Sequence, residues 1–329
     1  MTNPFKPGFD PKWKDVPDYI LGITKEIWED RQIGTLRQYY APDLIVRSPA
    51  SVVVGNQGII AATQTTLAEF PDRELPGEDV IWCDTGSRSF LSSHRLLCTA
   101  THLGHGAYGV PTGRKLIYRI LADCWCQENA VHDEWLVRDQ AAIVQQMGFD
   151  LVTWVRNQIA REGGPAACVK PFTPGNDVAG PYKGRGTQDD RAVYAATVLT
   201  DMMGGDFGVI ARQYDRAVQS HYPAHSYGFG HGPVDKFWLG LRSAVPSAQF
   251  TVHHQIGKTG GLMPDRAALR WSLDGNHDGW GRFGPPTGAP LHVMGITHFE
   301  FGSRGVVREW SLIDDTAVWR QILLATGDF

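Results

Sequence analysis

A tryptophan and an aspartate recur four residues apart near the end of each half of the sequence. They are Trp135 with Asp139 and Trp310 with Asp314. Residues four apart on an alternating strand share a face, so each carboxylate is predicted to lie beside an indole. An apolar neighbourhood raises the pKa of a carboxyl group and suits it to general acid–base catalysis. Each aspartate also directly precedes a predicted helix, so helix capping is the alternative interpretation.

A histidine ends an otherwise apolar strand face at matching places in the two halves. Alternation makes His102 and His277 candidate pocket residues, and Trp271 shares the face of His277. The alternative is a structural histidine that hydrogen-bonds to the adjacent glycine turn. Glu134 and Glu309 fall on the opposite strand face and are expected to form salt bridges with Arg95 and Arg270; those two arginines begin the face opposite the histidines.

These residues belong to an internal repeat with an offset of 175 residues. Residues His102–Gly113 and His277–Gly288 are identical at seven of twelve positions. A period of this length indicates two whole domains rather than the units of a solenoid. We expect a first domain at residues 1–162, a Gly- and Pro-rich linker at 163–187, and a second domain at 188–329.

The pattern within each copy is helices first and strands afterwards. Helical spacing covers residues 12–40 and 187–215, followed by helices at Gln57–Glu69 and Pro233–Ala244. Alternating segments follow in both copies, at Ser89–Thr101 and Lys115–Gln127 in the first, and a short helix closes each copy. This order predicts an α+β fold in which helices pack on one face of a curved antiparallel sheet.

Composition and charge narrow the class of partner. The net charge is −4 with no basic run, so neither nucleic acid nor a membrane surface is an expected partner. The start of the chain lacks a signal sequence, and the five cysteines are an odd number confined to the first copy and the linker, so we expect reduced thiols in the cytoplasm.

Neither a nucleotide cofactor nor a metal is predicted. The glycines of Gly104–Gly109 match G-x-G-x-x-G formally, but the segment leads into another strand instead of a helix. The histidines of the second copy show no metal-ligand spacing.

Several motifs occur in one order in the first copy. They are Phe70-Pro71-Asp72, T-H-x-G at Thr101–Gly104, G-x-P-x-G at Gly109–Gly113, E-W-x-x-x-D at Glu134–Asp139, and Gln146-Met147-Gly148. Together they resemble the SnoaL-like polyketide cyclase family of the NTF2-like superfamily. The resemblance implies two tandem cone-shaped domains, each enclosing a blind apolar pocket. It also implies an aspartate acid–base catalyst that is helped by histidine and needs no cofactor.

The resemblance leads to a functional expectation for both pockets. We expect a cofactor-independent enzyme of cyclase or isomerase type that acts on a small, mostly apolar carbonyl compound. Asp314, His277, Asp139 and His102 are the predicted catalytic residues, and Trp310, Trp135, His298, His221 and Trp271 are the predicted substrate contacts. The alternatives are a non-catalytic small-molecule binder and a hydrolase or dehydratase that uses the same pocket.

The two copies are not expected to be equivalent. Only the second copy combines His221 and His298 with His277 and Asp314. The first copy has Val46 and Asp123 where the second has His221 and His298. We therefore expect the second pocket to carry more of the chemistry. We also expect the two domains to dock through the convex faces of their sheets as an intramolecular pseudo-dimer, an arrangement that leaves room for further homo-oligomers.

Overall fold

Each half of the chain forms one six-stranded sheet with helices on one face. The computed structural model describes residues 4–329. The elements of the first domain are α1 (Val16–Thr24), a π-helical turn (Lys25–Glu29), a 3-10 turn (Ile33–Thr35), α2 (Leu36–Tyr39), β1 (Tyr40–Ser48), β2 (Ser51–Val54), α3 (Asn56–Glu69), β3 (Gly77–Gly86), β4 (Ser89–Thr101), β5 (Lys115–Gln127), β6 (Ala130–Arg138) and α4 (Gln140–Gln146).

An additional helix, α5 (Leu151–Arg161), follows the first domain. Sequence analysis did not predict it. Asp150 caps its first turn, and Val155 and Ile159, four residues apart, are buried against Leu323 near the end of the chain. This helix packs against the closing helix of the second domain.

The second domain repeats the order of the first. Its elements are α6 (Asp190–Met203), α7 (Val209–Gln213), β7 (Tyr214–Tyr222), β8 (Ser226–Phe229), α8 (His231–Ala244), β9 (Gln249–Lys258), β10 (Asp265–Asn276), β11 (Pro290–Gly302), β12 (Gly305–Ile313) and α9 (Asp315–Thr326). The strand orders are β2-β1-β6-β5-β4-β3 and β8-β7-β12-β11-β10-β9. The sheets are mixed rather than purely antiparallel, because β1 pairs with β6, and β7 with β12, in parallel.

A β-bulge in the last strand of each sheet corrects the predicted strand faces. Cys126 pairs with Val131 and Trp125 with Asp133, so His132 is an extra residue in β6. Val307 is the extra residue at the same place in β12. One extra residue reverses the face that every later residue occupies. The glutamates that follow the bulges therefore face the helices, and the tryptophans beside them face the other way.

The tryptophan-bearing faces of the two sheets pack against each other. Apolar residues from both sheets meet in two clusters, which contain Leu121, Val137, Met294, Ile296 and Leu312, and Ile81, Leu91, Ile256 and Ala268. Their contacts are reciprocal. The guanidinium of Arg95 lies 3.5 Å from the ring centre of Trp310, and that of Arg270 lies 3.6 Å from the ring centre of Trp135. This exchange of equivalent contacts defines an approximate two-fold relationship between the domains.

The segment between the domains is packed rather than loosely extended. Phe172 is buried in the interface, and Asp177 pairs with Arg47 of β1 at 2.5 Å. The amide of Tyr182 donates to Asp133 of the first domain, and its hydroxyl lies 2.8 Å from His254 of the second. Residues 163–187 therefore bind both domains, which differs from the predicted PPII-like linker.

Candidate functional site

The first domain encloses a cavity of about 300 Å³ between its helices and its sheet. Most of the wall is apolar and comes from α1, α3 and the inward faces of β4–β6. The charged and titratable side chains of the wall are Tyr40, Arg73, His94, Cys124, Glu134, Arg138 and, from the second domain, Asp314. An enclosed apolar space with a few polar groups is typical of a small-molecule site.

Glu134 is the buried carboxyl group of this cavity. Its side chain is 7% exposed, and burial raises its pKa to about 7. The hydroxyl of Tyr40 lies close enough to favour the charged form, but Glu134 accepts no regular hydrogen bond from any residue in 4–329. A carboxyl group with this pKa exchanges protons readily at neutral pH.

His94 and Arg138 lie at successive positions along the same wall. His94 of β4 pairs with Ala122 of β5, which in turn pairs with Leu136 of β6. Leu136 lies midway between Glu134 and Arg138 on β6. Burial lowers the pKa of His94 to about 4, so its imidazole is neutral at physiological pH. The cavity therefore has a carboxyl end at Glu134, a neutral imidazole in the middle and a cationic end at Arg138.

The corresponding space in the second domain is filled. Glu309, equivalent to Glu134, accepts hydrogen bonds from the Tyr214 hydroxyl at 2.9 Å, the Trp238 indole at 2.8 Å and the Ser311 hydroxyl at 2.7 Å. Burial raises its pKa only to about 6, because these donors oppose the effect of burial. Trp238 has no exposed surface. Glu309 is thus fully engaged in the core.

The two predicted catalytic aspartates are both helix caps. Asp139 accepts backbone N–H groups from Ala142, Ala224 and His225 with its two oxygens. Asp314 caps α9 through one oxygen, which accepts from Thr316. Burial raises the pKa of each carboxyl to about 6. Capping, the alternative interpretation, accounts for the observed contacts of Asp139.

Asp314 differs from Asp139 because it also lines the cavity of the first domain. The β7–β8 turn supplies two amides to Asp139. The β1–β2 turn beside Asp314, at Pro49 and Ala50, is one residue shorter and donates no amide to it. The second oxygen of Asp314 accepts no hydrogen bond from the described chain. Of the four predicted catalytic residues, Asp314 is the one placed at the cavity.

The two predicted catalytic histidines close glycine turns instead of lining the cavity. His102 is hydrogen-bonded through Nδ1 to Thr112, and its Nε2 lies 3.3 Å from Glu69. His277 makes the equivalent contact with Thr287 at 3.0 Å. The turns need glycine because a Cβ on Gly104 would lie 1.9 Å from a carbonyl oxygen of α3. These contacts match the alternative interpretation of a structural histidine.

The residues that were predicted to contact the substrate also lie outside the cavity, contrary to that prediction. Trp135 and Trp310 face the domain interface because of the β-bulges. His221 stacks on Trp310 there, with ring centres 5.5 Å apart. His298 is buried between the sheets, 2.8 Å from Ser93 and 3.2 Å from Arg95. Trp271 is fully buried in the second domain, and its indole donates to Thr297.

The predicted salt bridges of the glutamates are absent from residues 4–329. Arg95 pairs with Glu78 at 2.9 Å, and Arg270 pairs with Asp123 of the other domain at 3.1 Å. Glu134 and Glu309 instead face inward. Sequence analysis missed Glu134 because the bulge at His132 hides its face. Periodicity gives no signal of this bulge, because His132, Asp133 and Glu134 are all polar.

Neither a metal-binding cluster nor a membrane-spanning helix is found among residues 4–329. Within residues 4–329, no group of three or more His, Cys, Asp or Glu side chains is arranged to hold a metal ion. Over the same residues, no helix combines the length and apolar character needed to cross a membrane.

Comparison with known proteins assigns the family. The profile of the SnoaL-like polyketide cyclase family matches residues 19–147 and again residues 195–322, which together make up most of the chain. The chain therefore belongs to this family and contains two tandem copies of its domain. A search of curated proteins found no match.

Solved structures with the same domain each match part of the chain. IdmH of Streptomyces antibioticus, a proposed polyketide cyclase, is 24% identical, with 40% of this chain and 97% of that chain covered and a TM-score of 0.35. AclR of Streptomyces galilaeus, a proposed hydroxylase, is 19% identical, with 44% and 84% covered and a TM-score of 0.35. A proposed SnoaL-like cyclase of Jannaschia sp. CCS1 is 16% identical, with 44% and 99% covered and a TM-score of 0.35.

Proposed function

We propose that the chain is a cofactor-independent acid–base enzyme whose active site is the cavity of the first domain. Its substrate is a small carbonyl compound that fits a largely apolar space of about 300 Å³. The observation that carries the proposal is Glu134, a buried carboxyl with a pKa of about 7 that receives no regular hydrogen bond from residues 4–329. In the second domain, the same glutamate is held by three donors.

The chemistry follows from the positions of the groups. The charged form of Glu134 removes a proton from the carbon next to the carbonyl group, and the negative charge moves to the carbonyl oxygen. Neutral His94 donates a hydrogen bond toward this oxygen and stabilises the enolate. In an isomerisation, the protonated form of Glu134 then returns the proton to a different carbon of the conjugated enolate. In a ring closure, the enolate carbon instead attacks a second carbonyl group of the same substrate, and Glu134 gives its proton to the alkoxide that forms there.

Asp314 is the second acid–base group of this proposal. Its pKa is about 6, and it lines the cavity of the first domain from the second domain. The second domain therefore contributes one titratable carboxyl group to the wall of the cavity. His277, His102 and Asp139 support the turns and helix ends around the two domains and are not part of the proposed reaction.

The test is proton exchange between solvent D2O and the carbon next to the ketone of an aryl ketone, followed by NMR. Probes are 3-benzoylpropionate and its methyl ester, tested with the full chain, Glu134→Gln and Glu309→Gln. Loss of Glu134 is expected to slow exchange by roughly 100-fold or more, the usual contribution of a general base. Glu309→Gln is the matched control and keeps the exchange rate.

The alternatives give different results in the same experiment. An unchanged exchange rate in Glu134→Gln contradicts the proposal. A non-catalytic binder changes the probe spectrum on binding but exchanges no protons. A hydrolase releases methanol from the methyl ester.

A further inference from the structure

Two arginines in the cavity of the first domain lack a carboxylate partner. Arg73, in the turn after α3, is 6% exposed, and its Nε donates to the Tyr118 hydroxyl at 3.0 Å. Arg138 ends β6, and its buried Nε has no hydrogen-bond partner. Neither forms a salt bridge within the described chain. Thirteen other arginines of that chain do pair with carboxylates, whereas these two line the cavity without such a partner.

The two arginines lie at one end of the cavity. Both act on the pKa values of Tyr118 and Cys98, which pair with each other across β4 and β5. Glu134 lies at the other end, four residues before Arg138 on the same strand and therefore about 13 Å away along it. The charge of neither arginine contributes to the raised pKa of Glu134. The cationic end is thus separate from the proposed base.

The fold itself does not require these charges. At the equivalent positions the second domain has Ala248 and Ile313, both buried and apolar. His94 is likewise replaced by Leu269. A buried cation without a counter-ion destabilises a folded protein, whereas apolar residues at the same place do not. The charges are therefore retained only in the domain that has a cavity.

We infer that Arg73 and Arg138 form a subsite for a carboxylate, and that the substrate is a keto acid. This inference rests on the proposed function, because it places the carbonyl group of the same molecule toward Glu134. Guanidinium groups bind carboxylates through paired, charge-assisted hydrogen bonds, which are strongest in a site that excludes water. The ligand carboxylate supplies the counter-ion that the chain does not.

The experiment compares an acid with its neutral analogue in binding, so that it does not depend on turnover. Binding of 3-benzoylpropionate and its methyl ester to the full chain is measured by calorimetry, together with 4-benzoylbutyrate and its methyl ester to vary the length. We expect each acid to bind at least tenfold more tightly than its ester. Arg73→Ala and Arg138→Ile, which introduce the residues of the second domain, should each abolish that preference while leaving ester affinity within twofold.

Arg242→Ala is the matched control, since this partly buried arginine lies outside the cavity and also lacks a salt bridge in the described chain. It should keep the preference for the acids. A second measurement needs no ligand: removal of a partly buried charge without a carboxylate partner should raise the Tm of the free protein for Arg138→Ile. Equal affinity for acids and esters in the unmodified chain, or a preference that survives both substitutions, overturns the inference.

Failure of the proposed function gives a separate signature. Glu134→Gln should bind the acids as tightly as the unmodified chain does. If the acids are preferred but no protein exchanges protons, the carboxylate subsite stands and the catalytic proposal fails. If exchange occurs at equal rates for acids and esters without any preference in affinity, the catalytic proposal stands and the carboxylate subsite fails.

Discussion

Thr63 and Trp238 occupy the same position on equivalent helices of the two domains. Thr63 of α3 lines the open cavity and accepts a hydrogen bond from Trp28 at 3.2 Å. Trp238 of α8 fills the equivalent space and donates to Glu309. Three further replacements enlarge the side chains around it, with Ser48, Ala62 and Leu96 becoming Tyr222, Phe237 and Trp271. The duplication has therefore produced one open domain and one filled domain.

Filling the first cavity should remove its binding activity. We expect Thr63→Trp to lower the affinity for 3-benzoylpropionate at least tenfold, because the indole occupies the ligand space as Trp238 does. Calorimetry measures this, and circular dichroism confirms that the fold is kept. In the other direction, Trp238→Thr should destabilise the protein by about 4 kcal/mol, as large-to-small core changes do. Undiminished affinity in Thr63→Trp would place the ligand elsewhere.

Glu134 should make the stability of the protein depend on pH. Its folded pKa of about 7 exceeds the ordinary glutamate pKa of 4.5 that applies to the unfolded chain, so the folded state holds this proton more tightly. The associated stability is complete below pH 4.5 and is lost as the pH rises through 7. Relative to the unmodified protein, we expect the unfolding free energy of Glu134→Gln to be roughly 2–3 kcal/mol more favourable to the folded state at pH 8 than at pH 5. Urea unfolding of both proteins at pH 5 and at pH 8 measures this change. If the difference in unfolding free energy between the two proteins is the same at both pH values, the pKa of Glu134 is not raised.

The two capping aspartates should differ in activity. Asp314→Asn is expected to slow proton exchange more than Asp139→Asn, because only Asp314 lines the cavity. Asparagine caps helices about as well as aspartate, so helix stability is nearly preserved in both variants. Exchange rates with 3-benzoylpropionate provide the comparison. A larger loss from Asp139→Asn would exclude the proposed role of Asp314.

The reciprocal arginines of the interface should contribute unequally to stability. Arg270 is the salt-bridge partner of Asp123, whose carboxylate is buried. Glu78, the partner of Arg95, is also held by Arg119. We expect Arg270→Met to cost about 3–5 kcal/mol, as removal of one partner of a buried pair does, and Arg95→Met to cost less. Urea unfolding measures both, and Asp123→Asn should recover part of the loss in Arg270→Met. Equal losses would contradict this reading of the pairs.

Much of the fold was predictable because local patterns and the repeat agree. The bounds predicted for β4 and β5, at Ser89–Thr101 and Lys115–Gln127, are those of the structure. The predicted closing helix after Asp139 is also present. These elements alternate or repeat strictly, so their side chains report the fold directly.

The site was less predictable because it depends on two single-residue shifts. The bulge at His132 reverses the faces of Glu134 and Trp135. In β1 the repeat offset is one residue shorter, since Arg47 and His221 make equivalent pairs with Trp135 and Trp310. His221 therefore corresponds to Arg47 and not to Val46. Sequence periodicity alone does not contain either shift.

The expectation that the second domain carries the chemistry depended on counting its histidines. His221 and His298 lie in the interface, and His277 closes a turn. The structure leads to the opposite proposal, because the open space and the unpaired charges are in the first domain. Side-chain volume at four equivalent positions is the feature that distinguishes the domains.

A crystal structure of the full chain with bound 3-benzoylpropionate tests the central claim most directly. We expect the ligand in the cavity of the first domain, with its carboxylate on Arg73 and Arg138. The carbon next to its ketone should lie within about 3.5 Å of a Glu134 oxygen, the separation of a reactive complex. A ligand bound in the second domain or between the domains, or one whose ketone points away from Glu134, would contradict the account.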